Sequence, residues 1–224
     1  MANMFSGILR RKKYILMAEL KIKSPSVRVL GRMEDIEKIS REYKQGGADL
    51  ISLVIDKKKF GGDLKMIQRV KRNVDLPIFA KDFIKSENRL EEIKNAGASA
   101  VLLLAFLVAK EKLKLLYKKA LRMGLFPVVE IDNEKDLDMA IEEKFPVIAV
   151  NARNLRDLSV DKNKAISLIK KIPENIISLA FSGVRNKDDV RNYLNAGAKG
   201  VLIGTSLMRA ENKIAFLRKI RPIS

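Results

Sequence analysis

The sequence predicts an α/β fold, a single (β/α)8 barrel. Three observations predict it. Short apolar, often β-branched runs alternate eight times with longer charged segments at helical spacing. Glycine recurs where a helix must stop before the next strand, at Gly47, Gly97, Gly124 and Gly197. The chain has 224 residues, a length common for one such domain, and no Pro/Gly/Ser-rich linker divides it. The expected domain spans residues 1–224, with a short N-terminal extension at about residues 1–13. Eight strand–helix units in one domain point to a closed barrel; a doubly wound open sheet is the alternative.

The strands follow in order. "YILMAEL" (14–20), "DLISLVI" (49–55), "PIFAKD" (77–82) and "AVLLLAF" (100–106) make the first half. "FPVVEI" (126–131), "VIAVNA" (147–152), "IISLAF" (176–181) and "GVLIGT" (200–205) make the second. Strands buried on both faces read as near-continuous apolar runs, as these do. Between them, segments such as 33–45, 86–96, 109–123, 133–144 and 186–196 carry charge at helical spacing. Ser86, Asn133 and Asn186 precede acidic first turns, where an N-cap belongs. "NAGA" occurs at 95–98 and again at 195–198, each time leading into a strand.

Composition narrows the chemistry. Cysteine is absent, which excludes disulfides and thiol nucleophiles and fits a cytoplasmic protein. Histidine is absent too, so Ser-His-Asp triads and His-ligated zinc are excluded. Proton transfer falls to Lys, Glu, Asp, Tyr or water. The formal charge of +18 suits anionic partners or, equally, a Lys-coated surface. Heavy Lys and Glu use without Cys points toward a thermophile. No long apolar run suggests a membrane span, and no signal peptide is read at the N-terminus.

In a barrel of this class the site lies at the C-terminal ends of the strands. Polar residues fall there on one alternating face: Glu19 and Lys21 after strand 1, Lys81 at the end of strand 3, Glu130 on strand 5, Asn151 and Arg153 on strand 6. One such residue is more often only the edge of the core; the set points to acid–base chemistry. Lys81 lies between Phe79 and Phe83, apolar neighbours expected to lower its pKa. "FSGV" and "IGTS" put Ser182, Gly183, Gly204 and Thr205 where a strand meets a helix start, a place for a phosphate. Phe181 shares its parity with Leu179, so its ring is expected to cover part of the barrel mouth.

"AELKIKSPS", "FAKDFI", "PVVEIDNEKDL", "AVNARNL", "FSGV" and "VLIGTSLMR", in order from about residue 14 to 209, resemble the strand-end motifs of the indole-3-glycerol phosphate synthase family. The resemblance implies ring closure of 1-(2-carboxyphenylamino)-1-deoxyribulose 5-phosphate with loss of CO2 and water, in tryptophan biosynthesis, with no cofactor or metal. It implies that Lys81 is the general acid, Glu130 the proton-transfer partner in dehydration, and Lys21 the holder of the substrate carboxylate. Glu19 and Asn151 would position lysines and sugar hydroxyls. Ser24 and Arg153 would help bind the anionic substrate. Pro25, Phe60, Phe83, Leu102 and Leu155 would wall the aromatic ring, and Ser182, Gly183, Gly204 and Thr205 would hold the phosphate.

The chain departs from the family pattern at four places. Phe181 stands where a Glu usually precedes Ser-Gly. Val27 and Arg28 follow Ser-Pro-Ser without the usual Gly. Ile55 and Asp63 replace a Thr and a Ser, and the N-terminal segment is short. The alternatives are a divergent phosphate-sugar barrel with altered or lost activity, or a non-catalytic anion-binding barrel. Nucleic acid is not the expected partner, since the lysines are scattered over many helices without interleaved aromatics. No membrane partner is expected, and the expected oligomeric state is a monomer.

Overall fold

The computed structural model describes residues 3–25, 29–154 and 157–222. Eight parallel strands close in sequence order into a barrel. They are β1 (Ile15–Leu20), β2 (Leu50–Val54), β3 (Ile78–Lys81), β4 (Ala100–Leu104), β5 (Phe126–Ile131), β6 (Val147–Asn151), β7 (Ile177–Phe181) and β8 (Gly200–Ile203). The open-sheet alternative is therefore set aside, because β1 pairs with both β2 and β8.

The helices, in chain order, are α1 (Met4–Arg11), α2 (Ile36–Gln45), α3 (Lys57–Phe60), α4 (Lys65–Asn73), α5 (Glu87–Ala96), α6 (Lys110–Arg122), α7 (Glu134–Glu142), α8 (Lys162–Lys170), α9 (Lys187–Asn195), α10 (Thr205–Arg209) and α11 (Lys213–Ile220). Local chemistry sets their ends. Ser86, Asn133 and Asn186 each accept a backbone N–H three residues on, as N-caps, and Asn186 completes a capping box with Asp189. The glycines of the two "NAGA" turns take φ of +105° at Gly97 and +109° at Gly197, a region that side chains with a Cβ avoid. Among the described residues no helix is long and apolar enough to cross a membrane.

Period-two alternation divides the core. One set of strand residues, such as Leu16, Ile51, Val101 and Val201, packs outward beneath the helices. The other set, including Met17, Leu50, Phe79, Leu102, Val128, Leu179, Phe181 and Leu202, fills the barrel interior. At the bottom, α1 closes the barrel. Phe5, Ile8 and Leu9 join the interior cluster, and the Asn3 side chain donates to the carbonyls of Ser99 (2.7 Å) and Gly124 (2.9 Å), just before β4 and β5. At the opposite end the interior residues turn polar, and there the site forms.

Candidate active site

Glu19 organises the barrel mouth. It lies on the inward face of β1 and is buried. From outside the barrel, the Tyr43 hydroxyl on α2 donates to its main-chain carbonyl at 3.1 Å. Inside, Lys21 Nζ donates to Glu19 Oε1 at 2.6 Å and Lys81 Nζ to Oε2 at 3.1 Å, so one carboxylate bridges two ammonium groups. Burial alone would raise the Glu19 pKa, but the two lysine charges and hydrogen bonds outweigh it and lower it to about 2.

Lys81 is the last residue of β3. Burial pushes its pKa down, yet the charges of Glu19 and Glu130 and the Glu19 hydrogen bond reverse this, and the net direction is upward from 10.5. The pKa lowering read from its flanking phenylalanines is corrected. Phe79 sits in the barrel interior, and two carboxylates, invisible in the local sequence, dominate.

Across the barrel, Asn151 on β6 donates to Glu130 Oε1 on β5 at 2.9 Å. The other oxygen, Oε2, is buried without a hydrogen-bond partner. Burial raises the Glu130 pKa; Lys81 and Asn151 pull it only part of the way back. Asn151 Oδ1 in turn accepts the Arg153 backbone N–H at 2.9 Å, so the amide is fixed at both ends. The Arg153 guanidinium donates to the Leu158 carbonyl at 2.7 Å, which holds it against its own loop at the edge of the cleft.

These groups share one cleft of about 710 Å³, solvent at its opening included. Glu19, Lys21, Lys81, Glu130, Asn151 and Arg153 line it together with Ser24, Pro25, Phe60, Phe83, Leu102, Ser182 and Thr205. Phe60 and Phe83 stack at 6.4 Å, and the Lys23 N–H donates to the Phe60 carbonyl at 3.0 Å, tying the β1 and β2 loops together. Leu155 lies outside the described residues. Val54, Asp56, Asp82, Leu104 and Leu158 also line the cleft and were not read from the sequence. Asp56 caps α3 through the N–H groups of Lys59 and Phe60, and Asp82 pairs with Arg89 at 2.6 Å. Only the Asp82 position, next to Lys81, carried a local signal.

Gly183 and Gly204 stand behind the cleft surface rather than on it. Ser182 and Gly183 take φ of +68° and +79°. The Tyr193 hydroxyl donates to the Ser182 carbonyl at 3.2 Å and the Ser206 hydroxyl to the Val184 carbonyl at 2.6 Å, bracing this turn. Among the described residues, the N–H groups of Gly183 and Val184 go to no backbone acceptor, nor does that of Gly204. Strand β8 ends at Ile203, so Gly204 is the N-cap of α10 and Thr205 its first residue. A Cβ on Gly204 would fall 2.2 Å from Glu19 Oε1 and 3.0 Å from Lys21 Nζ. Glycine there leaves room for the lysine–glutamate pair, a role the phosphate reading did not include.

Phe181 faces inward as its parity predicts, but it is fully buried and does not cover the mouth. Its ring lies beneath Lys81, whose Nζ is 4.7 Å from the ring centroid. No group of three or more potential metal-ligating side chains occurs among the described residues.

A parallel eight-stranded barrel with an acid–base cluster at its C-terminal mouth belongs to the class of barrel enzymes that work without histidine or cysteine. Comparison with known proteins makes the class specific. The family model described as "Indole-3-glycerol phosphate synthase" matches residues 2–220, and the chain belongs to that family. An indole-3-glycerol phosphate synthase of Streptomyces griseus is 38% identical over 200 residues, covering 89% of this chain and 74% of the relative. One from Sulfurisphaera tokodaii is 38% identical over 202 residues, covering 90% and 81%. Among solved structures, 3-hexulose-6-phosphate synthase from Salmonella typhimurium superposes with a TM-score of 0.75 at 16% identity, over 92% of this chain and 96% of that one. A thiamine phosphate pyrophosphorylase from Pyrococcus furiosus gives 0.65 at 17%, over 95% of each chain. These two share the fold.

Proposed function

We propose that this chain is an indole-3-glycerol phosphate synthase, a carboxy-lyase acting on 1-(2-carboxyphenylamino)-1-deoxyribulose 5-phosphate in tryptophan biosynthesis. The observation that carries the reading is the convergence of Lys21, Lys81, Glu19 and Glu130 in one cleft, with aromatic walls on one side and unpaired backbone N–H groups on the other.

The steps follow from the groups. The phosphate lies against the N–H groups of Gly183, Val184 and Gly204 with the first turn of α10. Phe60, Phe83, Leu102 and Pro25 flank the anilino ring. Lys21 and Arg153, with Ser24, meet the ring carboxylate. The ring carbon that bears this carboxylate attacks the ketone carbon of the ribulose. A carbon–carbon bond forms, and the carbonyl oxygen takes a proton from Lys81, whose charge is assured by its raised pKa. The carbon–carboxylate bond then breaks, CO2 leaves, and its electron pair restores the aromatic ring. In the last step the new hydroxyl leaves as water with a proton from a lysine, while Glu130 takes the proton from the adjacent methylene. A buried carboxyl with a raised pKa and a free oxygen is suited to take up a proton.

The partner is therefore a phosphorylated small molecule, with no nucleic acid or second subunit required. We place the enzyme in the cytoplasm, in keeping with its lack of cysteine. Thermophilic origin is supported by ion-pair networks in which Lys110 and Lys114 reach Glu143, and Lys119 reaches Glu87 and Glu91. Incubation of the purified protein with the substrate should produce indole fluorescence and stoichiometric CO2. Substrate that stays unchanged, with the protein folded, refutes the activity.

A further inference from the structure

Lys81 does not rest on carboxylates alone. Its ammonium stands over the face of Phe181, 4.7 Å from the centroid. That ring is fully buried and packs on Phe79 with centroids 6.0 Å apart. Phe79 packs on Phe5 of α1 at 5.5 Å, and Phe5 on Phe126 at 5.3 Å. A column of aromatic rings thus runs through the barrel interior, from the helix that closes the bottom to the ammonium at the top. Its upper end, Phe181, touches the acid–base cluster through Lys81.

We infer that Phe181 is a positioning residue for Lys81: its ring face, supported by this column, fixes the ammonium by a cation–π contact and leaves its charge uncancelled. The charge argument is simple. Glu19 is one negative group hydrogen-bonded to two positive ones, Lys21 and Lys81, so this triad keeps one positive charge, and the carboxyl that faces it, Glu130, has its own pKa raised by burial. A carboxylate in place of Phe181 would hold Lys81 equally well but would cancel that surplus. An aromatic face attracts the ammonium through its quadrupole, which adds no formal charge. It also accepts no proton, so Lys81 cannot lose its proton to this neighbour. Of the three N–H donors of Lys81, one goes to Glu19 and the ring faces the group from below. The remaining direction is toward the cleft, where an anionic or carbonyl oxygen would arrive.

The consequence for turnover rests on the general-acid reading of Lys81, but the contact itself can be tested without substrate. In the wild-type protein, NMR signals of the Lys81 ε-methylene protons should lie upfield of those of Lys21, because a ring face shields what lies above it. Brief labelling with acetic anhydride at pH 8, read by peptide mass spectrometry, reports the neutral fraction of each lysine. In Phe181→Leu and Phe181→Met, which keep apolar bulk without a ring, Lys81 labelling relative to Lys21 should rise about tenfold. In Phe181→Tyr, which keeps the ring, the ratio should stay within about twofold of wild type. With substrate, the Leu and Met variants should lose kcat about tenfold while KM changes little, a split that loosened packing alone would not produce. An unshifted Lys81 methylene signal in the wild type overturns the inference, as does an unchanged labelling ratio in folded Leu or Met variants. If the labelling changes as expected but no synthase turnover exists at all, the contact stands and the proposed function falls.

Discussion

Lys81 meets both carboxylates of the cluster electrostatically, which is why its loss should be felt most. Lys81→Ala is expected to cut kcat by about 10²–10⁴-fold, the share of a general acid, with the protein still folded. Turnover within twofold of wild type would remove it from the mechanism. Glu19 makes a different prediction, in stability. Its pKa falls from 4.5 to about 2 on folding, so its contribution is fully present above pH 4.5 and is lost as pH falls from there toward 2. The contribution is on the order of 3 kcal/mol. Urea unfolding midpoints of the wild type should therefore drop more steeply across this window than those of Glu19→Gln; parallel curves would contradict the assignment. Parity along a strand sufficed to place Glu19, Glu130, Asn151 and Phe181 on the inner face, because alternation is a local property of the chain. The direction of the Lys81 shift was not legible, since it depends on β1 and β5, which are distant in sequence. Nor was the contact between Lys81 and Phe181, made across two strands that are not neighbours in the barrel.

At the scale of elements, the junction of β8 and α10 combines two demands. It must end a strand beside β1, and it must leave space for the Glu19 carboxylate. Gly204→Ala tests the second demand. A methyl group 2.2 Å from Glu19 Oε1 forces the carboxylate, and with it Lys21 and Lys81, to move. We expect kcat to fall by at least about tenfold, because a displacement near 1 Å at reacting groups costs about that or more. A variant that raises only KM would instead assign Gly204 to phosphate binding alone. The strand ends and the N-caps Ser86, Asn133 and Asn186 were legible because apolar runs and capping side chains are short-range signals. Helix α1 was read only as a short extension. Its eight residues have too little length for a periodic pattern, and its apolar face makes sense only once the barrel bottom exists to receive Phe5, Ile8 and Leu9. The short helix α3 escaped for the same reason, its start set by Asp56 within a loop, whereas the start of α10 was legible at "IGTS".

The whole molecule carries a formal charge of +18, and three of its cations, Lys21, Lys81 and Arg153, stand at the mouth of the site. Most other lysines lie on the outer helices, where a few are paired with glutamate, as Lys119 is with Glu87 and Glu91. Paired and scattered charges give little directed field at close range, whereas the cleft gathers three cations around two buried carboxyl groups. The proposed substrate has a phosphate and a carboxylate, so it should be drawn toward this mouth over distances of about one Debye length. That length shrinks from about 30 Å at 0.01 M salt to about 8 Å at 0.15 M. Steering therefore predicts that kcat/KM falls about tenfold across this range. The change should appear in KM, while kcat stays within about twofold, because the hydrogen-bonded cluster inside the cleft is shielded from bulk ions. The control is Lys21→Met, which removes one mouth cation and should flatten the salt dependence as well as weaken binding. If kcat/KM is indifferent to salt, the excess charge does not guide the substrate and is only a solvated coat. If a random DNA duplex competes with the substrate at micromolar concentration and low salt, the positive field extends well beyond the mouth, and the charge serves a broader anionic surface.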